Sequence, residues 1–186
     1  MIEIVPYNPE WPLEFAKIAS RIRVALGPRA LAIHHIGSTS VPGLAAKDVI
    51  DMQVSVSSLE SDLRPNLEAA GFVWRDPLCD HTPPGMNLPA SELEKRVCRD
   101  EVRAANIHLR IQGRFNWRYA LLCRDYLRSH HDARDAYAEI KRQLARYFPD
   151  DVEAYYDIKD PVFDLFMAGA NDWASISNWQ PGPSDA

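Results

Sequence analysis

Leu31-Ala-Ile-His-His-Ile36, Gly37-Ser-Thr-Ser-Val-Pro-Gly43 and Lys47-Asp-Val-Ile-Asp-Met-Gln-Val-Ser-Val56 read as strand, tight turn and strand. The second strand alternates: Asp48, Ile50, Met52, Val54 and Val56 point one way, Lys47, Val49, Asp51, Gln53 and Ser55 the other. A strand that runs into Gly-Ser exposes backbone N–H groups and a hydroxyl, and Gly37 lets the chain approach a ligand closely. Unpaired N–H groups favour an anion, so Gly37, Ser38 and Thr39 are candidate phosphate ligands. Twelve residues separate Ser38 from Asp51, enough for a short helix and a return strand. Asp51 would then stand beside the phosphates, where a carboxylate can hold Mg²⁺. The plain alternative is a Ser-rich turn and a solvent-facing Asp.

Working outward, Ile2–Val5 reads as a short strand. Asn8 and Pro9 open a helix whose apolar positions are Trp11, Phe15, Ile18, Ile22 and Ala25, and Gly27-Pro28 closes it. A helix from Ser57 or Ser58 to Ala70 and a strand over Phe72–Arg75 follow. The stretch from Asp76 to about Arg99, with Pro77, Pro83, Pro84, Gly85 and Pro89, reads as irregular. A loop of that length in a compact domain is usually functional or disordered. Strand character returns over Val102–Gln112. Helices are expected over Arg114–His130, Asp132–Tyr147 and from Val152 to near Trp173, the last broken at Pro161, with a frayed tail at Gln180–Ala186. The class is α+β: one domain over residues 1–186, a sheet-rich core about 28–112, C-terminal helices about 114–174 and a tail 175–186.

Composition narrows the partners. The 186 residues carry 21 Lys and Arg against 26 Asp and Glu, a net charge of −5, which argues against a nucleic-acid binder and against a membrane surface. No run approaches the roughly 18 apolar residues of a membrane span, and Met1–Pro6 lacks the features of a signal peptide. Cys79, Cys98 and Cys123 fit no zinc or disulfide pattern, which suits a reducing cytoplasm.

Tyr7-Asn-Pro-Glu-Trp11, His35-Ile-Gly-Ser-Thr-Ser-Val-Pro-Gly-Leu-Ala-Ala-Lys47, Ile50-Asp51, Arg124-Asp-Tyr-Leu-Arg128, Tyr137 with Lys141, and Tyr156 with Lys159 together resemble the GrpB family, a branch of the nucleotidyltransferase-fold superfamily. The resemblance spans nearly the whole chain. It implies a mixed sheet with helices packed on it, and a Gly-Ser turn plus strand carboxylates that bind a nucleoside triphosphate with Mg²⁺ or Mn²⁺ for transfer to a small-molecule acceptor. The superfamily pattern is Asp-x-Asp or Asp-x-Glu on the second strand, with a third carboxylate from a later one. Here the position after Asp51 on that face is Gln53, which can offer a metal its carbonyl oxygen but supplies no charge and no base.

Asn106, His108 and Arg110 share the polar face of the later strand. Beside Asp51, His108 would serve as metal ligand or general base, and Arg110 would pair with phosphate; a hydrogen-bonded structural His is the other reading. Lys47 lies on the Asp51 face within reach of phosphate, or is simply exposed. His34 and His35 fall on opposite faces, with His35 taken toward the site. Arg124 or Arg128 could reach a triphosphate, or Arg128 could pair with Asp125, and Lys159 is a further phosphate candidate. Asp80 and His81, with Lys95 and Arg96, suggest a lid. Two functions result: a metal-dependent nucleotidyltransferase using Asp51 and His108, or a catalytically incomplete nucleotide-binding or accessory module. GrpB-like domains fused to dephospho-CoA kinase make the second credible.

Overall fold

The structure is a computed structural model that describes residues 1–60, 62–75 and 78–186, so Asp76 and Pro77 of the expected irregular stretch lie outside the described residues. The described elements are helix α1 (Trp11–Leu26), strand β1 (Ala32–Ile36), a 3-10 turn at Ser38–Ser40, β2 (Ile50–Val56), α2 (Leu63–Ala69), β3 (Val73–Trp74), β4 (Leu78–Cys79), β5 (Glu94–Asp100), β6 (Ala105–Ile111), α3 (Phe115–Ser129), α4 (His131–Tyr147) and α5 (Val152–Ser177). The strands form a mixed sheet in the order β1-β2-β6-β5-β3, with β4 also paired to β5. β1 is antiparallel to β2, β2 is parallel to β6, and β6 is antiparallel to β5. The fold is α+β, with the helices of the C-terminal part on one side.

Period-two alternation divides the sheet into two unlike faces. Ile33, Met52, Val54, Ile107 and Leu109 pack with Trp11, Phe15, Ile18, Ile22 and Leu26 of α1 and Leu67 of α2 in the main core. The opposite face carries Asp51, Gln53 and Ser55 of β2 in register with Asn106, His108 and Arg110 of β6. Helix α3 covers part of it: Trp117 donates its indole N–H to Ser55 Oγ at 2.7 Å, and its carbonyl accepts from Gln53 Nε2 at 3.1 Å. A second core joins α3, α4 and α5 through Leu122, Tyr137 and Ala170. Among the described residues no helix is long and apolar enough to cross a membrane.

Several expectations are corrected. The strand over Ile2–Val5 reduces to one antiparallel bridge between Val5 and Ala46. Asn8 does not cap α1; its side chain accepts the Glu10 N–H at 3.0 Å, and the helix begins at Trp11. Within the supposed irregular stretch, Glu94–Asp100 is a central strand, β5. Its charges obscured it, and they are met by partners: Lys95 by Asp80, Asp100 by Arg21 and Glu94 by Arg114. Pro161 does not break α5, which runs continuously through it; just beyond it Phe163 and Phe166 pack edge-on against Tyr137 of α4. The tail is docked rather than frayed: Ser184 and Asp185 hydrogen-bond to the backbone of β1.

Phe15 stacks flat on the His35 imidazole, with ring centroids 4.8 Å apart. Phe15→Ala is therefore expected to lose about 3–5 kcal/mol of stability by opening a cavity under β1, read as a lowered urea midpoint.

Candidate functional site

The site begins where β1 ends. Ile36 is the register partner of Asp51, and the next residue, Gly37, adopts φ +67°. A Cβ on Gly37 would stand 2.6 Å from Asp51 Oδ2, so both the left-handed backbone and the close approach demand glycine. The turn is braced from several sides. Ser40 Oγ donates to the Gly37 carbonyl at 2.6 Å, and Thr39 Oγ1 meets His35 Nε2 at 3.0 Å. Arg128 of α3 donates through Nε and Nη2 to the Ser40 carbonyl at 3.0 and 2.8 Å. From α4, Lys141 donates to Ser38 Oγ at 2.9 Å and to the Ala45 carbonyl.

Across the turn, Asp51 Oδ1 accepts from Asn106 Nδ2 at 2.9 Å. Burial pushes the Asp51 carboxyl above its ordinary range, against the pull of Asn106 and of Lys159, Lys47 and Arg110. Burial, with Arg110 and Lys95 nearby, holds the His108 imidazole well below its usual value, so it is neutral. Burial also brings Lys141 down to about 7, helped by Lys159 and Arg142 and opposed by Asp51. Lys47 reaches the Tyr156 hydroxyl and lies 4.3 Å from that ring's centroid; Lys159 pairs with Asp160 at 2.7 Å.

These groups line a cavity of about 450 Å³. It brings together Gly37, Ser38, Thr39, Lys47, Asp51, Asp80, His81, Lys95, His108, Arg110, Arg124 and Lys159, which the sequence had singled out separately. Asp80 and Arg110 face each other through two hydrogen bonds of 3.0 and 3.1 Å. Although burial pushes the Asp80 carboxyl up, Arg110 and Lys95 hold it well below the usual carboxylate range.

Other expected residues stand elsewhere. Gln53 is fully buried and both ends of its amide are taken: Oε1 accepts from Arg110 Nη1 at 2.8 Å while Nε2 donates to Trp117. Gln53 is also outside the cavity wall. Arg128 is spent on the Ser40 carbonyl and is not part of the cavity wall. Lys95 and Arg96 belong to β5 and so cannot act as a lid; Arg96 lies outside the wall. His81 is tied to Asp164 at 3.0 Å. His35 turns away, onto Phe15. Arg124 lines the cavity, yet it donates to Asp125, Asp185 and the His35 carbonyl. Reasoning from sequence gave no role to Lys141, Asn106 or Tyr155, all in the wall. Lys141 enters the sequence reading only with Tyr137, as part of the family resemblance, and both side chains prove to be fully buried.

The sequence profile described as GrpB protein matches residues 1–168. The chain belongs to the GrpB family. It is 35% identical to a protein named dephospho-CoA kinase from Mycolicibacterium paratuberculosis, covering 97% of this chain and 48% of that one. It is also 35% identical to UPF0157 protein YqkA of Bacillus subtilis, over 95% and 49%, and 36% identical to UPF0157 protein BH1888 of Halalkalibacterium halodurans, over 91% and 83%. The chain thus spans about half the length of the first two. The crystal structure of the conserved protein GrpB from Enterococcus faecalis superposes with a TM-score of 0.73 at 27% identity, over 96% of this chain and 100% of that one.

In this GrpB chain the desolvated Asp51 carboxylate weakens the fold it sits in. A folded-state pKa above the unfolded one means stability falls as pH rises through that window. Asp51→Asn, which keeps an acceptor for Asn106, is expected to be more stable than wild type at pH 7. The difference should vanish below the ordinary carboxylate range, where both states are protonated. Urea midpoints at pH 7 and pH 3 check this.

Proposed function

We propose that this GrpB chain binds a phosphorylated small molecule, a nucleoside triphosphate in its fullest form, between the Gly37–Thr39 turn and Asp51. The supporting observation is a charge inversion. A chain of net charge −5 lines this cavity with Lys47, Lys95, Lys141, Lys159, Arg110 and Arg124 against Asp51, Asp80 and Asp160. Asp80 and Asp160 are already paired with cations. Among the described residues Lys47 and Lys141 form no ion pair. Cations desolvated in a cleft without counter-charge are suited to phosphate oxygens.

The donor set fits one divalent ion and not two. Mg²⁺ is commonly held by one or two carboxylates together with the phosphates of its ligand, and Asp51 is available for that, whereas Gln53 is engaged by Arg110. Among the described residues no group of three or more His, Cys, Asp and Glu is arranged to hold a metal. When bound, such an ion would screen phosphate charge and polarise a P–O bond. The chain's own residues would do the rest: Lys141 and Ser38 hold phosphate oxygens, Lys47 neutralises charge at the rim, and the neutral His108 can take a proton from an acceptor hydroxyl. On this reading the reaction is nucleotidyl transfer to a small acceptor. The engaged Gln53 favours a second reading, a nucleotide-binding or accessory module without transfer. The relatives named dephospho-CoA kinase, matched over about half their length, are compatible with such a module.

Calorimetric titration with inorganic tripolyphosphate and with the four nucleoside triphosphates, with and without Mg²⁺ or Mn²⁺, tests binding. With the Lys141 pKa near 7, affinity should fall as pH rises from 6 to 8.5, and binding at pH 8 should take up a proton, visible as buffer-dependent heat. Lys141→Met should abolish both effects and weaken binding about tenfold or more, the worth of one charge-assisted hydrogen bond. Unchanged affinity in that variant would refute the proposal. Pyrophosphate release in the presence of a metabolite pool separates transferase from module. Gln53→Asp should not raise turnover, because the new carboxylate would pair with Arg110 and lose the donor to Trp117; a large gain would show instead a lapsed two-carboxylate enzyme.

A further inference from the structure

The edge of β1 that does not pair with β2 is covered by the chain's own last residues. The Ile33 N–H donates to Ser184 Oγ at 2.9 Å, the Asp185 N–H donates to the Ile33 carbonyl at 2.9 Å, and the His35 N–H donates to Asp185 Oδ2 at 2.9 Å. Arg23 of α1 reaches the Ala186 carbonyl at 2.6 Å. One main-chain bond and side-chain bonds from Ser184 and Asp185 thus hold an extended segment on the open strand edge. The Asp185 oxygen that accepts from His35 also accepts from Arg124 Nη1 at 2.8 Å, and His34 Nδ1 stands 3.7 Å away.

Arg124 connects this edge to the cavity. Its side chain is almost wholly buried, it is part of the cavity wall, and it also donates to the His35 carbonyl, two residues before Gly37. Among the described residues its hydrogen bonds engage Nε and Nη1, with none from Nη2. The guanidinium therefore stands between Asp185 on one side and the cavity on the other. Its charge is offset on the outer side by Asp125 at 2.7 Å and Asp185 at 2.8 Å.

We propose that Arg124 and the β1 edge form a carboxylate site occupied in cis by Asp185, and that this occupancy holds back the cavity's affinity for phosphate. The inference rests on the phosphate reading of the cavity given above. Anion binding and tail docking compete for one guanidinium, and by linkage each weakens the other to the same degree. A phosphate that draws Arg124 inward loosens Ser184 and Asp185 from β1. Conversely, a chain without the Asp185 carboxylate presents Arg124 to the cavity with only Asp125 against it.

The test uses the full chain, inorganic tripolyphosphate as the probe, and Asp185→Ala, with Asp185→Asn as a second variant that keeps an acceptor for the His35 N–H. Asp132→Ala, an exposed acidic position on α4, controls for the change in net charge. Both Asp185 variants should bind tripolyphosphate about fivefold tighter or more, the lower end of ordinary coupling between sites, while Asp132→Ala should match wild type. In wild type, saturating tripolyphosphate should speed hydrogen exchange at the Ile33 and His35 amides. Equal or weaker binding by the Asp185 variants, or unchanged exchange at those two amides, overturns the inference while leaving the phosphate reading intact. If tripolyphosphate binds neither wild type nor variants, the phosphate reading falls and this inference falls with it.

Discussion

Gly37 has no side chain, and the space a Cβ would occupy is where the Asp51 carboxylate lies. That one contact sets the distance between turn and strand. It follows from the antiparallel register of β1 on β2, which places Ile36 opposite Asp51, and from the left-handed backbone at Gly37. Everything else in the cavity is placed relative to this pair. The parallel pairing of β6 with β2 brings Asn106 alongside Asp51 and His108 alongside Gln53, and α4 delivers Lys141 to the hydroxyl of the residue after Gly37. A larger residue at position 37 would have to push β2 away from the turn, and with it the polar face of the sheet.

The electrostatic arrangement around this contact is costly to the fold. Lys141 is buried with hydrogen bonds to a hydroxyl and a carbonyl and, among the described residues, no ion pair, and Asp51 is half-buried in the cavity with an amide as its hydrogen-bond partner. Burying a charge without a paired counter-charge is unfavourable, and the two shifts record that cost in opposite directions: the acid is pushed up and the amine down. Structural ion pairs in the same wall behave differently. Asp80 with Arg110 and Lys95 is a closed cluster whose carboxyl is held low, as expected where charges serve the fold. The contrast within one cavity separates groups committed to architecture from groups left open to a ligand.

The fold was largely legible because its core obeys simple periods. The alternation of Ile50, Met52 and Val54 with Asp51, Gln53 and Ser55, and the helical spacing of Trp11, Phe15, Ile18 and Ile22, match the two faces of the sheet and α1 as built. β5 escaped because Glu94, Lys95, Arg96, Arg99 and Asp100 break any apolar alternation, and the partners that neutralise them come from distant positions such as Arg21 and Asp80. The tail escaped for a related reason: its hold on β1 is made by hydrogen bonds to backbone and by Asp185 to Arg124, which leave no hydrophobic pattern. In the site, the turn and Asp51 could be read because both sit on one hairpin. Gln53 could be placed on the correct face, but its capture by Arg110 depends on β6 and its hold on Trp117 depends on α3, pairings that local spacing does not contain. Lys141 required knowing that α4 buries its polar side toward the turn.

These placements bear on what chemistry the cavity can support. Two-metal phosphoryl transfer needs carboxylates to gather the ions and offset their charge, and here the strand position that would supply the second one holds an amide bonded on both sides. The compensating feature is the lysines. On the proposed reading a triphosphate would bring its own negative charge, and Lys47 and Lys141, which form no ion pair among the described residues, stand beside Asp51 to meet it. A carboxylate at position 53 would meet the Arg110 guanidinium, which is already oriented toward that position. On the proposed reading, positioning and charge neutralisation would be what this wall contributes, whether to a binding protein or to a transferase. The choice between the two proposed readings turns on His108: its neutral imidazole lines the cavity with Nδ1 buried and without a partner among the described residues, so on the transferase reading it is the group that would take the proton from an acceptor.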